Sequence, residues 1–164
     1  MTDPLTDGTD AAALVAALTA RGQTVATAES LTAGLFAATI AGVPGASLVL
    51  RGGLVVYATD LKAALAGVDQ RVLDGDGPVA ASTARELALG AAHRCGADWG
   101  VGLTGVAGPD QQDGRPVGTV FLGIAGPDGV HISDLDLRGD RWAIRSAAVR
   151  TAVSTLLARV LGST

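Results

Sequence analysis

Cysteine and histidine are scarce in this chain of 164 residues, which has one cysteine, Cys95, and two histidines, His93 and His131. A single cysteine excludes an intrachain disulfide, and so few thiol and imidazole ligands argue against a zinc site. Aromatic residues make up only 3% of the chain, so the core must be filled mainly by Ala, Val and Leu. We expect no bound metal ion.

An excess of positive charge is also missing, because the formal net charge is -4. Duplex nucleic-acid binders normally present a basic stripe that neutralises phosphates, so we expect no nucleic-acid partner. No apolar run is long enough to span a membrane, and the residues after Met1 do not resemble a signal peptide. We expect a cytoplasmic protein without membrane contact. We also expect a small-molecule substrate and a homo-oligomer.

Apolar residues are abundant, at 48% of the chain, which is typical of a domain with a large core. Segments with strand character alternate with helical segments, and one β-hairpin follows them. This order predicts an α/β fold, a three-layer α/β/α sandwich with a mixed, mostly parallel sheet. We expect a single domain over residues 1–164, with residues 1–8 disordered.

The element boundaries follow from hydrophobic periodicity and from capping residues. Strands are predicted over residues 24–28, 48–57, 99–104, 117–125 and 130–137. Helices are predicted over residues 10–18, 32–41, 59–65, 82–94 and 140–161, with Asp10, Ser82 and Asp140 as N-caps. Residues 68–81 and 105–118 are rich in turn-forming residues and are predicted to form loops.

Glu29 and Ser30 lie at the junction of a predicted strand and a predicted helix. Ligands of open α/β sheets bind beyond the carboxyl ends of the strands, where a helix N-terminus offers unpaired N–H groups. A serine there can attack a carbonyl while nearby N–H groups hold the developing oxyanion. The small residues Ala33 and Gly34 would let a substrate approach. The alternative is that Ser30 is only the helix N-cap, a role that serine favours.

Lys62 is the only lysine among 12 basic residues, and Tyr57 is the only tyrosine. A desolvated lysine can lose its proton and act as a base, which arginine cannot do, and serine–lysine pairs are a known catalytic arrangement. A phenol beside the ammonium could relay a proton or orient the base. The alternatives are a surface lysine and a tyrosine that only packs against its neighbours.

A loop of small residues follows the predicted strand 99–104. Gly-rich loops can hold anions through backbone N–H groups, although an ordinary connecting loop would look similar. The ligand-binding candidates here are Thr104, Gly105, Ala107 and Gly108.

Arg141 and Arg145 are four residues apart and therefore share one face of the last predicted helix, near its N-terminus. Helix N-termini favour anions, so these two guanidinium groups could hold a phosphate. The alternative is a solvated helix face with ordinary salt bridges.

Taken together, four stretches in this order resemble the CinA C-terminal domain family of nicotinamide-nucleotide amidases. They are residues 27–34; Tyr57 with Lys62 and residues 67–68; residues 105–109 with 115–120; and residues 139–141 with Arg145. The resemblance covers roughly residues 10–162.

The resemblance implies a three-layer α/β/α fold and hydrolysis of the carboxamide of nicotinamide mononucleotide (NMN) to nicotinate mononucleotide and ammonia. It implies that Ser30 is the nucleophile, supported by Tyr57 and Lys62, and that no cofactor or metal is used. The expected substrate contacts are Glu29, Thr32, Ala33, Gly34, Thr104, Gly105, Ala107, Gly108, Arg141 and Arg145.

The chain departs from the family pattern at three positions near these residues. Family members often have Cys where Leu31 stands, Gly where Ala33 stands and Asn where Thr59 stands. The nucleophile and the base are kept, so these departures bear on substrate preference and rate. Two alternatives to the NMN amidase stay open. One is an amidase for another small amide, and the other is a non-catalytic nucleotide-binding regulatory module.

Overall fold

A computed structural model describes residues 3–163, which form a five-stranded sheet with helices on both faces. The strands are β1 (Val25–Glu29), β2 (Leu50–Val55), β3 (Trp99–Gly105), β4 (Thr119–Gly126) and β5 (Gly129–Asp136). The helices are α1 (Ala11–Arg21), α2 (Leu35–Ala41), α3 (Thr59–Ala64), α4 (Gln70–Gly75), α5 (Ala81–Cys95) and α6 (Arg141–Gly162).

The N-terminal segment before α1 is described from Asp3 onward and consists of hydrogen-bonded turns. The Asp3 carboxylate accepts the N–H of Leu5 at 2.9 Å, and the Asp3 carbonyl accepts the hydroxyl of Thr6 at 2.7 Å. Met1 and Thr2 belong to the segment predicted to be disordered and lie outside the described residues.

The strand order in the sheet is β2-β1-β3-β4-β5. β1 lies in the middle of a parallel trio with β2 and β3, and β4 pairs antiparallel with both β3 and β5. Only β4 therefore runs against the other strands. The predicted sandwich with a mixed, mostly parallel sheet is confirmed, and the carboxyl ends of β1, β2 and β3 meet at one edge.

The two faces of the sheet are covered differently, and strand β3 shows why. Its large residues Trp99, Val101 and Leu103 pack in the core beneath α1, α2 and α6. The glycines between them face α5, where a Cβ on Gly100 would lie 1.9 Å from the carbonyl oxygen of Ala88. Because any side chain there would push α5 away from the sheet, the alternation of large residues and glycine determines how closely α5 packs.

Helix α2 begins at Leu35, later than the predicted start at residue 32. Ala33 and Gly34 adopt left-handed backbone conformations, with φ of 49° and 92°, which a continuous right-handed helix cannot include. Strand β2 also begins later than predicted, because residues Ala46–Leu48 form a short 3-10 turn.

The region predicted to be a loop over residues 68–81 contains a short helix, α4, in addition to its turns. Asp69 caps this helix by accepting the N–H of Arg71 at 2.8 Å. Ser82 is not the cap of α5, which already begins at Ala81. Its hydroxyl instead donates to the carboxylate of Asp76 at 2.6 Å, which ties the start of α5 to the end of α4.

Helix α6 begins as predicted, since the carboxylate of Asp140 accepts the N–H of Ala143 at 2.8 Å. Its apolar stripe packs against the core beneath the sheet, and its first turn reaches the carboxyl edge of β1. Although α6 has 22 residues, neither it nor any other helix within residues 3–163 is apolar enough to cross a bilayer.

Candidate active site

Ser30 directly follows β1 and faces a pocket at the carboxyl edge of the sheet. Its backbone N–H donates to the carbonyl of Leu103 at 2.9 Å, which continues the β1–β3 pairing and holds the residue in place. The residue is 8% exposed, so its hydroxyl opens only into the pocket. It is not the cap of α2, where Gly34 occupies the N-cap position.

The carboxylate of Glu29 caps α2 instead. The side chain is fully buried, and one oxygen accepts the N–H groups of Gly34 and Phe36, each at 3.1 Å. The other oxygen accepts the N–H of Ala37 at 3.0 Å. A negative charge at a helix N-terminus is favourable, so Glu29 anchors the turn between Ser30 and α2. It does not line the pocket, contrary to the expectation that it contacts substrate.

Lys62 lies in α3 with its side chain inside the protein, and its residue is 2% exposed. Its Nζ atom lies 3.0 Å from the Ser30 hydroxyl, 2.9 Å from the carbonyl oxygen of Val56 and 3.3 Å from that of Tyr57. Burial disfavours the ammonium form and lowers the pKa of Lys62 to about 8. The alternative of a surface lysine is therefore wrong.

The pocket beside Ser30 has a volume of about 110 Å³. Eight of its lining residues were predicted from the sequence: Ser30, Tyr57, Lys62, Thr104, Gly105, Ala107, Gly108 and Arg141. The hydroxyl of Thr104 donates to the carbonyl of Pro78 at 2.6 Å, so this contact joins the end of β3 to the segment before α5.

Six further lining residues were missed: Leu31, Pro78, Val79, Val106, Asp110 and Gln112. Asp110 and Gln112 belong to a segment that was predicted to be a loop, and the polar character of that loop is a usable signal. The sequence around Pro78 and Val79 has no such signal, because its place beside Thr104 depends on how α5 packs.

Tyr57 contacts Lys62 through its backbone carbonyl and not through its phenol. The phenol hydroxyl accepts a hydrogen bond from Nη2 of Arg141 at 2.7 Å, and Nη1 of Arg141 donates to the carbonyl of Gly108. Within residues 3–163 no hydrogen bond joins the phenol to the Lys62 ammonium, so a role of the phenol as proton relay stays a prediction. The side chains of Tyr57 and Arg141 instead meet at the mouth of the pocket, where Tyr57 is 55% exposed.

Arg145 lies one turn further along α6 and does not line the pocket. Its Nε donates to the carbonyl of Leu31 at 2.9 Å, and its Nη2 donates to the carbonyl of Thr32 at 3.1 Å. Thr32, Ala33 and Gly34 also lie outside the pocket lining. Within residues 3–163 neither Arg141 nor Arg145 forms a salt bridge, contrary to the alternative of a salt-bridged face.

The family model described as the CinA C-terminal domain matches residues 8–160. The chain belongs to the CinA C-terminal domain family. A CinA-like protein of Frankia casuarinae is 47% identical over 144 residues, which cover 88% of this chain and 33% of that protein. The chain thus spans about one third of the length of this curated relative.

Solved CinA structures have the same fold. The competence/damage inducible protein CihA of Agrobacterium tumefaciens is 37% identical, with a TM-score of 0.86 over 90% of this chain and 92% of that one. A CinA superfamily protein of Escherichia coli is 29% identical, with a TM-score of 0.88 over 95% of this chain and 90% of that one. Among residues 3–163, this CinA domain has no cluster of three or more His, Cys, Asp or Glu side chains that could hold a metal ion.

Proposed function

We propose that this CinA-family domain hydrolyses the carboxamide of NMN to nicotinate mononucleotide and ammonia, with Ser30 as the nucleophile and without a metal ion or cofactor. The observation that carries the proposal is the buried contact between Nζ of Lys62 and the hydroxyl of Ser30, at 3.0 Å. A serine is a weak nucleophile unless an adjacent base takes its proton.

The surroundings of Lys62 suit the neutral amine. A neutral amine has two N–H donors and one lone pair, whereas an ammonium has three donors and no acceptor. As an ammonium, Lys62 donates to the Ser30 hydroxyl and to both carbonyls; as a neutral amine it can keep the two carbonyl bonds and accept the Ser30 proton with its lone pair. A pKa of about 8 makes an appreciable fraction of Lys62 neutral near pH 7. We propose that Lys62 is the general base.

The turn after Ser30 offers a backbone donor for the oxyanion. Within residues 3–163 the backbone N–H groups of Leu31 and Thr32 donate no hydrogen bond, and Leu31 lines the pocket. The N–H after a catalytic serine is a common oxyanion donor. We propose that the N–H of Leu31, the one of the two whose residue lines the pocket, stabilises the negative charge that forms on the carboxamide oxygen when Ser30 attacks.

The reaction then proceeds in two stages. The Ser30 oxygen bonds to the carboxamide carbon, its proton passes to Lys62, and Lys62 returns the proton to the departing nitrogen as the carbon–nitrogen bond breaks and ammonia leaves. Water then attacks the resulting ester under the same base, which releases the carboxylate and restores the serine hydroxyl. The overall change is amide plus water to carboxylic acid plus ammonia.

The size of the pocket supports binding of the ring end of the substrate. Its volume of about 110 Å³ is well below the roughly 300 Å³ at which ligand pockets usually begin, so the ribose and phosphate would extend past the mouth. Arg141 is exposed at that mouth and is the better candidate for the phosphate, whereas Arg145 is half-buried and lies outside the pocket lining. The small volume also favours the second candidate, an amidase for a shorter amide.

Ammonia release from NMN, nicotinamide riboside and nicotinamide by the purified protein tests the proposal. We expect NMN to give the highest kcat/KM, and mass spectrometry of rapidly quenched NMN samples to detect the acyl group of nicotinate mononucleotide, with its ribose phosphate, as an ester on Ser30. Preference for a shorter amide would favour the second candidate. Binding of NMN without ammonia release from any of the three amides would indicate a non-catalytic module.

A further inference from the structure

The guanidinium of Arg145 is attached to the backbone that follows the nucleophile. It donates from Nε to the carbonyl of Leu31 and from Nη2 to that of Thr32, and the residue is half-buried. Two donors of one planar fork on two successive carbonyls restrain the orientation of both peptide groups. An arginine whose only role was to balance a negative charge would not need hydrogen bonds to two successive carbonyls.

The direction of these carbonyls determines the direction of the N–H groups. In a trans peptide the C=O and N–H point in opposite directions. The carbonyl of Leu31 points to Arg145, so the N–H of Thr32, in the same peptide group, points away from Arg145. The carbonyl of Thr32, also held by Arg145, shares its peptide group with the N–H of Ala33, and this N–H donates to the Ser30 carbonyl at 3.0 Å. The Ser30 carbonyl in turn shares its peptide group with the N–H of Leu31, which therefore points away from Ala33.

The same turn is held at its far end by Glu29, which takes the N–H groups of Gly34, Phe36 and Ala37. Glu29 therefore secures the start of α2, and Arg145 secures the peptide groups between Ser30 and α2. This leaves the N–H groups of Leu31 and Thr32 without a protein partner within residues 3–163.

We propose that Arg145 is a positioning residue for the oxyanion site, which orients the N–H of Leu31 through the turn between Ser30 and Ala33 and does not bind the substrate phosphate. This inference rests on the proposed function of Ser30. Preoriented donors favour the transition state over the bound substrate, because the oxyanion exists only after attack. Loss of Arg145 should therefore lower kcat and leave KM nearly unchanged.

The test compares Arg145→Met and Arg145→Lys with Arg150→Met, an exposed arginine on the same helix. We expect Arg145→Met to lower kcat about 100-fold, in line with the loss of one oxyanion donor, with KM within twofold for both NMN and nicotinamide riboside. Arg145→Lys should recover part of the loss, since an ammonium can serve one carbonyl, and Arg150→Met should behave as the wild type. Melting temperatures check that each variant is folded.

A second readout uses 3-pyridineboronic acid, which forms a tetrahedral adduct when the Ser30 oxygen bonds to boron. We expect the inhibition constant of this probe to rise in Arg145→Met by about the same factor as kcat falls, while the affinity of nicotinate mononucleotide stays within twofold. If Arg145→Met cannot be purified folded, the same comparison is made with Arg145→Lys.

Three outcomes would overturn the role of Arg145: unchanged kcat and probe binding in a folded Arg145 variant, a KM increase confined to NMN, or no probe binding to the wild-type protein. The proposed function fails separately, if the wild-type protein releases no ammonia from NMN. The probe does not depend on NMN turnover, so the two failures can be told apart.

Discussion

The floor and the rim of the pocket are built in contrasting ways. The floor, formed by Ser30 and Lys62, is buried, and its polar atoms are held by short contacts to β1, β3 and the segment after β2. The rim, formed by Tyr57, Arg141, Asp110 and Gln112, is exposed. A buried site keeps its geometry and strengthens electrostatic interactions, so chemistry is expected at the floor and substrate choice at the rim.

Replacing the nucleophile should give the largest effect. We expect Ser30→Ala to lower kcat by several orders of magnitude, because a catalytic unit that loses its nucleophile loses most of its rate enhancement. Ammonia release from NMN measures the effect, and Ser154→Ala, an exposed serine on α6, serves as the matched control. A Ser30→Ala protein with near wild-type turnover would eliminate the covalent mechanism. It would also eliminate the assignment of chemistry to the floor and of substrate choice to the rim.

Removing the base at the floor should have the next largest effect. We expect Lys62→Ala and Lys62→Arg both to lower kcat about 10²–10⁴-fold, because arginine keeps the charge but cannot give up its proton. Retention of most activity in Lys62→Arg would show that Lys62 supplies only charge.

The pH dependence of kcat/KM in the wild-type protein tests the same role of Lys62 as the base. A base must be deprotonated to act, and burial lowers the pKa of Lys62 from 10.5 to about 8. We therefore expect kcat/KM to rise tenfold per pH unit well below pH 8 and to level off above it. Measurement across pH 6 to 10 tests this; a flat profile through pH 8 would point to a different base.

A rim substitution should act on binding. We expect Arg141→Ala to raise KM for NMN about 10–100-fold, the range for a hydrogen bond to a charged group, with a much smaller change for nicotinamide riboside. Arg138→Ala removes an exposed arginine paired with Asp136 and should leave both substrates unaffected. Equal changes for the two substrates would place the phosphate elsewhere.

The smallest expected effect concerns the stability of the turn between Ser30 and α2. Ala33 is exposed and has φ of 49°, a conformation that costs a non-glycine residue about 1–2 kcal/mol. Glycine avoids this cost but gains entropy in the unfolded chain, so Ala33→Gly should raise the free energy of unfolding by up to about 1 kcal/mol.

Urea denaturation measures this change. The matched control Ala16→Gly, at an exposed position inside α1, should lower the free energy of unfolding by about 1 kcal/mol. A loss of stability in Ala33→Gly would show that the entropy gained by the unfolded chain outweighs the strain of the left-handed conformation.

Local patterns in the sequence determined most of the fold and half of the site. Alternating strands and helices, the Asp140 cap and the glycines at the hairpin are signals carried within a few residues. The pairing of Ser30 with Lys62 was also accessible, because a single lysine among many arginines stands out in the composition.

Only the tertiary structure decided the partners of the remaining side chains. Glu29 and Arg145 were expected to contact substrate, yet one caps α2 and the other holds the carbonyls of Leu31 and Thr32. A carboxylate or a guanidinium binds whichever complementary group the fold brings near it, and those groups are backbone atoms that have no signature in the sequence. The same reason explains why Tyr57 meets Arg141 across 84 residues of chain rather than its near neighbour Lys62.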